Sequence, residues 1–121
     1  MNQRIVVTED DHVQREIISD ILEQSGYTVC ACADGNTALE TIQDTPCDVL
    51  LTDMKMPNMD GLELLRRAKR MAPDLDVVVM TAHATIKTAV TAIKEGAADY
   101  LEKPFEKDEL LLVIARTCER N

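Results

Sequence analysis

Aromatic side chains are almost missing from this chain: two tyrosines, one phenylalanine and no tryptophan stand among 121 residues. A core built without them must be filled by Val, Ile, Leu, Met and Ala. Positive charge is scarce too. Thirteen basic against 22 acidic residues give a formal net charge of -9, which repels nucleic acid phosphates and supplies no basic stripe to hold them. Direct DNA binding by this segment is therefore disfavoured. No apolar run approaches the roughly 20 residues that cross a bilayer. The start, Met1-Asn2-Gln3-Arg4, leads into a strand-like segment and not into a signal peptide. A soluble, cytoplasmic protein is expected.

Several chemical motifs are also missing. There is no Walker-type glycine loop, no G-x-G-x-x-G and no G-x-S-x-G elbow, and the only histidines are His12 and His83. Nucleotide binding and acyl chemistry lose support accordingly. The four cysteines, Cys30, Cys32, Cys47 and Cys118, form no CxxC pair. They are expected to be small, buried apolar groups in a reducing compartment. His12 is expected to be exposed on the first helix.

What is present is a normal globular balance, 45% apolar and 29% charged, in a chain long enough for one substantial core and too short for two ordinary domains. Residues 1–121 are expected to form a single unit. Short β-branched runs alternate five times with amphipathic stretches. Arg4 to Thr8 reads as a strand, followed by a helix with Val13, Ile17, Ile21 and Leu22 on its inner face and a stop at Ser25-Gly26. Tyr27 to Ala33 is the second strand, and Asp34-Gly35 introduces a helix burying Ala38, Leu39 and Ile42. Cys47 to Thr52, apolar on both faces at its centre, reads as an interior strand. After the loop Met54 to Asp60 a third helix turns Leu62, Leu65 and Ala68 inward. Leu75 to Met80 is the fourth strand, and its helix should bury Ile86, Ala89, Val90 and Ile93. Ala98 to Leu101 is a short fifth strand, and a last helix runs from Lys107 to about Glu119. Right-handed βα repeats of this kind give an α/β, doubly wound (βα)5 domain with a five-stranded parallel sheet. The apolar run Leu110 to Ala115 exceeds what one buried face requires, so part of it is either an interface or a stray exposed leucine.

In such a sheet ligands sit at the carboxyl ends of the strands, near the point where strand order reverses. The strand ends supply Glu9-Asp10-Asp11, then Asp53, Thr81 and Lys103. Carboxylates converging there repel one another unless a cation neutralises them, and hard oxygen ligands suit Mg²⁺ or Mn²⁺. Lys103 adds a positive charge and Thr81 a hydroxyl, enough to hold the oxygens of a phosphoryl group. Taken singly, each feature has a plainer reading. Glu9-Asp10-Asp11 alone is a solvated helix start, Thr81 a cap, Lys103 a surface lysine, and Met54, Met56 and Met59 loop fillers.

Together, however, the segments Val6-Val7-Thr8-Glu9-Asp10-Asp11, Leu51-Thr52-Asp53-Met54-Lys55-Met56-Pro57-Asn58-Met59-Asp60-Gly61, Met80-Thr81-Ala82-His83 and Tyr100-Leu101-Glu102-Lys103-Pro104-Phe105 resemble the receiver domain of bacterial two-component response regulators. The resemblance covers essentially the whole chain and implies a flavodoxin-like, CheY-like fold. Position by position, it implies that Asp53 is the phosphoacceptor and that Asp10 and Asp53 are direct Mg²⁺ ligands. Glu9 would act through water, the Lys55 carbonyl would be another ligand, and Asp11 an extra acid. It makes Thr81 the switch hydroxyl, Lys103 the phosphate-pairing cation, Tyr100 the switch aromatic, and Lys103-Pro104 a cis peptide. The first acidic position, often Asp in the family, is here the longer Glu9.

The same resemblance implies a histidine kinase as phosphodonor and self-catalysed phosphoryl transfer. It also implies a population shift read out on the fourth helix, fifth strand and fifth helix, with a possible homodimer through that face. Lys55 and His83, each two positions beyond a site residue, would tune phosphoryl lifetime. The stretches Met80 to Val90 and Gly96 to Phe105 are most similar to receivers joined to an AAA+ ATPase and a DNA-binding domain in nitrogen-regulation-class activators. Two rivals stand beside this reading. One is an Asp-dependent Mg²⁺ phosphatase or phosphotransferase, disfavoured by Lys55 where a second carboxylate is needed and by the lack of room for a cap. The other is a docking module that is never phosphorylated, disfavoured by the complete set of acids, hydroxyl and lysine.

Overall fold

The computed structural model describes residues 3–82 and 86–119. Its elements alternate strictly: β1 (Arg4–Thr8), α1 (His12–Gln24), β2 (Thr28–Cys32), α2 (Gly35–Asp44), β3 (Val49–Asp53), α3 (Gly61–Met71), β4 (Asp76–Thr81), α4 (Ile86–Lys94), β5 (Asp99–Glu102) and α5 (Lys107–Glu119). All strand pairings are parallel, in the order β2-β1-β3-β4-β5. The expected doubly wound (βα)5 sheet is what the chain forms.

Alternation of side chains along the central strands divides the core in two. Val6, Leu50, Val77 and Val79 face Ala38 and Ile42 of α2, Leu64, Leu65 and Ala68 of α3 and Ala92 of α4. Ile5, Val7, Leu51, Val78 and Met80 face Ile18 and Leu22 of α1 and Leu110, Val113 and Ile114 of α5. β3 is buried from Val49 through Thr52, as its apolar run requires for a strand covered on both sides. The outer strands β2 and β5 are partly exposed.

Two helices sit differently from the sequence expectation. In α1 the inward row is Ile18 and Leu22, while Val13 (62% exposed) and Ile17 (53%) lie on the flank and Ile21 is half-buried. Rows 13-17-21 and 18-22 differ by about 100° around the axis. Apolar spacing therefore gives the width of the stripe, and packing on the sheet chooses its centre. In α4 the buried residue is Ala92, whereas Val90 and Ile93 are exposed and Ala89 is half-buried. A small side chain brings α4 close to the sheet and turns the larger ones outward. The side chain of Ile86 lies outside the described residues. In α3, Leu64 joins Leu65 and Ala68 inside and Leu62 is half-buried. In α5, Leu110, Val113 and Ile114 are buried and Leu112 is 62% exposed. All four cysteines are free; Cys32 is buried and the other three are half-buried.

Helices α1, α2 and α3 start at one end of the sheet, each capped by an aspartate. Asp11 accepts from the Val13 and Gln14 amides, Asp34 from Thr37 and Asp60 from Glu63. Each cap satisfies N–H groups that lack helical partners.

Candidate functional site at the carboxyl edge of the sheet

From β2 the chain crosses β1 to reach β3, so the order in which strands are added reverses between β1 and β3 while every strand stays parallel. The β1–β3 register places Thr8 beside Thr52, which sets Glu9 and Asp10 next to Asp53 just beyond the strand ends. One carboxylate oxygen from each of Glu9, Asp10 and Asp53 lies within 4.8 Å of the others. Glu9 is buried (1% exposed), Asp53 is half-buried and Asp10 is exposed.

Lys103, at the end of β5, reaches into this group. Its Nζ lies 2.5 Å from Glu9 Oε1, 2.8 Å from Gln14 Oε1 and 3.3 Å from Asp53 Oδ2. Burial alone would lower its pKa, but the hydrogen bond to Glu9, the charge of Asp53 and the charge of Glu9 together raise it. The ammonium therefore stays charged. Its side chain is 15% exposed, so it makes a shielded ion pair and not a surface one. The second Glu9 oxygen accepts from the Asp11 amide at 3.3 Å, and Arg15 donates to the Glu9 carbonyl at 2.8 Å.

Backbone contacts hold the Asp53 end of β3. The Met54 amide donates to the Met80 carbonyl and the Gly61 amide to the Met54 carbonyl, both at 2.8 Å. Thr52 Oγ1 donates to the Asp53 carbonyl at 3.0 Å. A Cβ on Gly61 would sit 2.3 Å from the Asp53 carbonyl oxygen and 2.8 Å from Met54 Cα, so only glycine lets α3 start this close to the site. The loop between them turns at Asn58, whose φ is 70°, a left-handed geometry that asparagine tolerates. Met56 and Met59 are buried anchors of that loop. Met54 is half-buried and packs against the core.

Thr81 closes β4, is buried (8% exposed), and its carbonyl accepts from the Lys103 amide at 2.8 Å. The Lys103-Pro104 peptide is cis. Tyr100 is 40% exposed and lines a groove of about 370 Å³ with Ala89, Val90, Ile93 and Lys94. Lys55 and His12 are exposed, and His83 lies outside the described residues. Asp11 is occupied in capping α1. Sequence reasoning missed Gln14, Arg15 and Gly61. Gly61 directly follows the helix-starting Asp60. The other two fall on the first turn after the acidic group, where position alone signals proximity to it.

A buried acid paired to lysine, two more carboxylates close enough to share one cation, and a buried threonine at the end of β4 thus stand where the strand order reverses. Known proteins share this sequence pattern and fold. The response regulator receiver domain family matches residues 5–115. The DNA-binding transcriptional regulator NtrC of Salmonella typhimurium is 41% identical over 110 residues, which cover 91% of this chain and 24% of that protein. Among solved structures, a CheY-like response regulator receiver domain protein from Methanospirillum hungatei superposes with a TM-score of 0.93 at 29% identity, covering 99% of this chain and 96% of that one. The beryllofluoride-activated NtrC4 receiver domain dimer superposes with a TM-score of 0.91 at 35% identity, over 97% of each chain.

This chain belongs to the response regulator receiver domain family. Within it, the chain is similar to the receivers of NtrC-type regulators, and it spans about a quarter of the length of the curated relatives it matches.

Proposed function

We propose that Asp53 is the phosphoacceptor of a two-component signalling switch. The observation that carries this reading is the convergence of Glu9, Asp10 and Asp53 within 4.8 Å, with Lys103 Nζ 3.3 Å from Asp53 Oδ2. Three carboxylates against one ammonium leave the site negative, and a divalent cation restores balance. The donor set is all oxygen, as Mg²⁺ or Mn²⁺ prefers. Asp10 and Asp53 would hold the ion directly, Glu9 through water, with the Lys55 carbonyl as a further ligand. When bound, it shields the approach of an anionic donor to Asp53.

An Asp53 Oδ attacks the phosphorus of a phosphohistidine on a partner histidine kinase. The new O–P bond forms as the P–N bond breaks, and its electron pair returns to the imidazole. Lys103 pairs with a transferred phosphoryl oxygen and Thr81 donates its hydroxyl to another. Hydrolysis of the acyl phosphate by water resets the switch, with Lys55 and His83 tuning its lifetime. No turnover of external phosphomonoesters is expected: the exposed Lys55 stands where an acid or base would be needed.

The readout is a shift between two preexisting states. Tyr100 is half out of the fold beside the groove on α4, which gives its ring a place to move as Thr81 follows the phosphoryl group inward. Exposed Val90, Ile93 and Leu112 make the α4–β5–α5 face the surface for homodimer formation, in line with the activated NtrC4 receiver dimer. An AAA+ ATPase and a DNA-binding domain are the expected output, acting in the cytoplasm, which is supported by relatives named as DNA-binding transcriptional regulators. Among the described residues no helix is long and apolar enough to cross a membrane.

Peptide mapping after acetyl phosphate treatment with Mg²⁺ should place the phosphoryl group on Asp53. Modification elsewhere would refute the assignment. Size-exclusion chromatography with beryllofluoride should show a dimer that Ile93→Glu abolishes, and an unchanged monomer would remove the dimer from the scheme.

A further inference from the structure

The ammonium of Lys103 has three N–H donors, and three acceptors surround it: Glu9 Oε1, Gln14 Oε1 and Asp53 Oδ2. Two are acids of the site. The third is a neutral carboxamide from the first turn of α1. Gln14 is placed by the same cap that starts that helix, because its amide donates to Asp11 Oδ1 at 3.1 Å. Its side chain lies on the wall of a groove of about 460 Å³ otherwise lined mainly by Ile17, Ile18, Ala82, Pro104 and Phe105. An apolar residue would serve that wall as well. Gln14 is otherwise exposed to solvent, and its carboxamide oxygen turns to the lysine.

Resting on the phosphoacceptor reading of Asp53, we infer that Gln14 is a positioning residue for phosphoryl transfer. Glu9 and Gln14 hold two N–H groups of Lys103, and that orients the third toward Asp53, where the incoming phosphoryl oxygens must be met. Without Gln14 the four-carbon lysine stem regains rotamer freedom, and the ammonium spends time away from the acceptor. A hydrogen bond from a charged donor to a neutral acceptor, lost at this point, should slow transfer about tenfold.

The test uses the intact chain, acetyl phosphate and saturating Mg²⁺, and follows the rate at which Asp53 gains a phosphoryl group. Gln14→Met keeps the length of the side chain and removes the acceptor; Gln14→Glu keeps the shape and an acceptor oxygen. Gln14→Met should be slowed about tenfold at every donor concentration, whereas Gln14→Glu should return to within about twofold of the parent. The ¹⁵N signal of the Lys103 ammonium should broaden in Gln14→Met alone, with thermal unfolding unchanged in both variants. Parent-like transfer by Gln14→Met overturns the inference, as does equal slowing of both variants, which would mean that an acceptor oxygen at this position does not account for the rate. If the parent itself gains no phosphoryl group, the phosphoacceptor reading fails first, an outcome distinct from either of these.

Discussion

Both ends of the sheet are acidic, but they use their carboxylates differently. At the amino ends of the strands, Asp48 Oδ2 accepts from the Arg4 amide at 2.9 Å. At the carboxyl ends, Asp11, Asp34 and Asp60 are occupied in the same way, each satisfying helix N–H groups. Glu9, Asp10 and Asp53 are different. They face one another, and the single positive charge that pairs with Glu9 and Asp53 comes from a lysine 94 positions from the first and 50 from the second. An acid that answers a backbone amide is structural. Acids gathered around one side-chain cation, with room for another, hold charge that the fold itself does not need.

The largest test of this contrast is Gly61→Ala. The added methyl meets backbone atoms of Asp53 and Met54, which cannot swing aside as a side chain can. Stability should fall by about 2–3 kcal/mol, read by urea denaturation, and phosphoryl transfer to Asp53 should drop at least about tenfold. Next comes Glu9→Gln, which breaks the buried pair with Lys103. Because the ammonium keeps Asp53 and Gln14, the cost should be about 2 kcal/mol, below that of a fully stranded buried charge. The Mg²⁺ concentration needed for half-maximal transfer should rise in the same variant.

Asp48→Ala, at the opposite end, should cost about 1 kcal/mol for one lost hydrogen bond and leave the transfer rate at the parent value. A changed rate would mean that the two ends are coupled. The smallest effect is Asp34→Asn, since asparagine caps as well as aspartate and stability near neutral pH should move by only a few tenths of about 1 kcal/mol. Hydrogen bonds from Thr37 hold the Asp34 carboxyl below its ordinary pKa. Its contribution is thus complete above the ordinary carboxylate pKa and is lost as pH falls through the lower folded value. Acid titration of stability should show this loss in the parent and not in Asp34→Asn.

The sequence carried the fold because alternating β-branched runs and helical spacing agree with one another from Arg4 to the last helix. The strand ends then delivered Glu9, Asp53, Thr81 and Lys103 as a set, and the cis Lys103-Pro104 peptide matched what the resemblance implied. The inward faces of α1 and α4 were not legible, since Val13, Ile17, Val90 and Ile93 are as apolar as the residues actually buried. Only the sheet decides which row it takes. Gln14 could be placed near the acidic group by position, but its partner could not be read. A glutamine on a first helical turn reads as solvated surface until the fold brings Lys103 across from the fifth strand.

On the proposed reading, Asp53 is reactive because of the group around it. Intact-mass measurement after incubation with acetyl phosphate tests this most directly, with Mg²⁺, with a chelator, and on Asp53→Asn. The parent with Mg²⁺ should gain the mass of one phosphoryl group, and neither the chelator-treated sample nor Asp53→Asn should gain any. An equal gain in Asp53→Asn, or no gain in the parent with Mg²⁺, would contradict that reading.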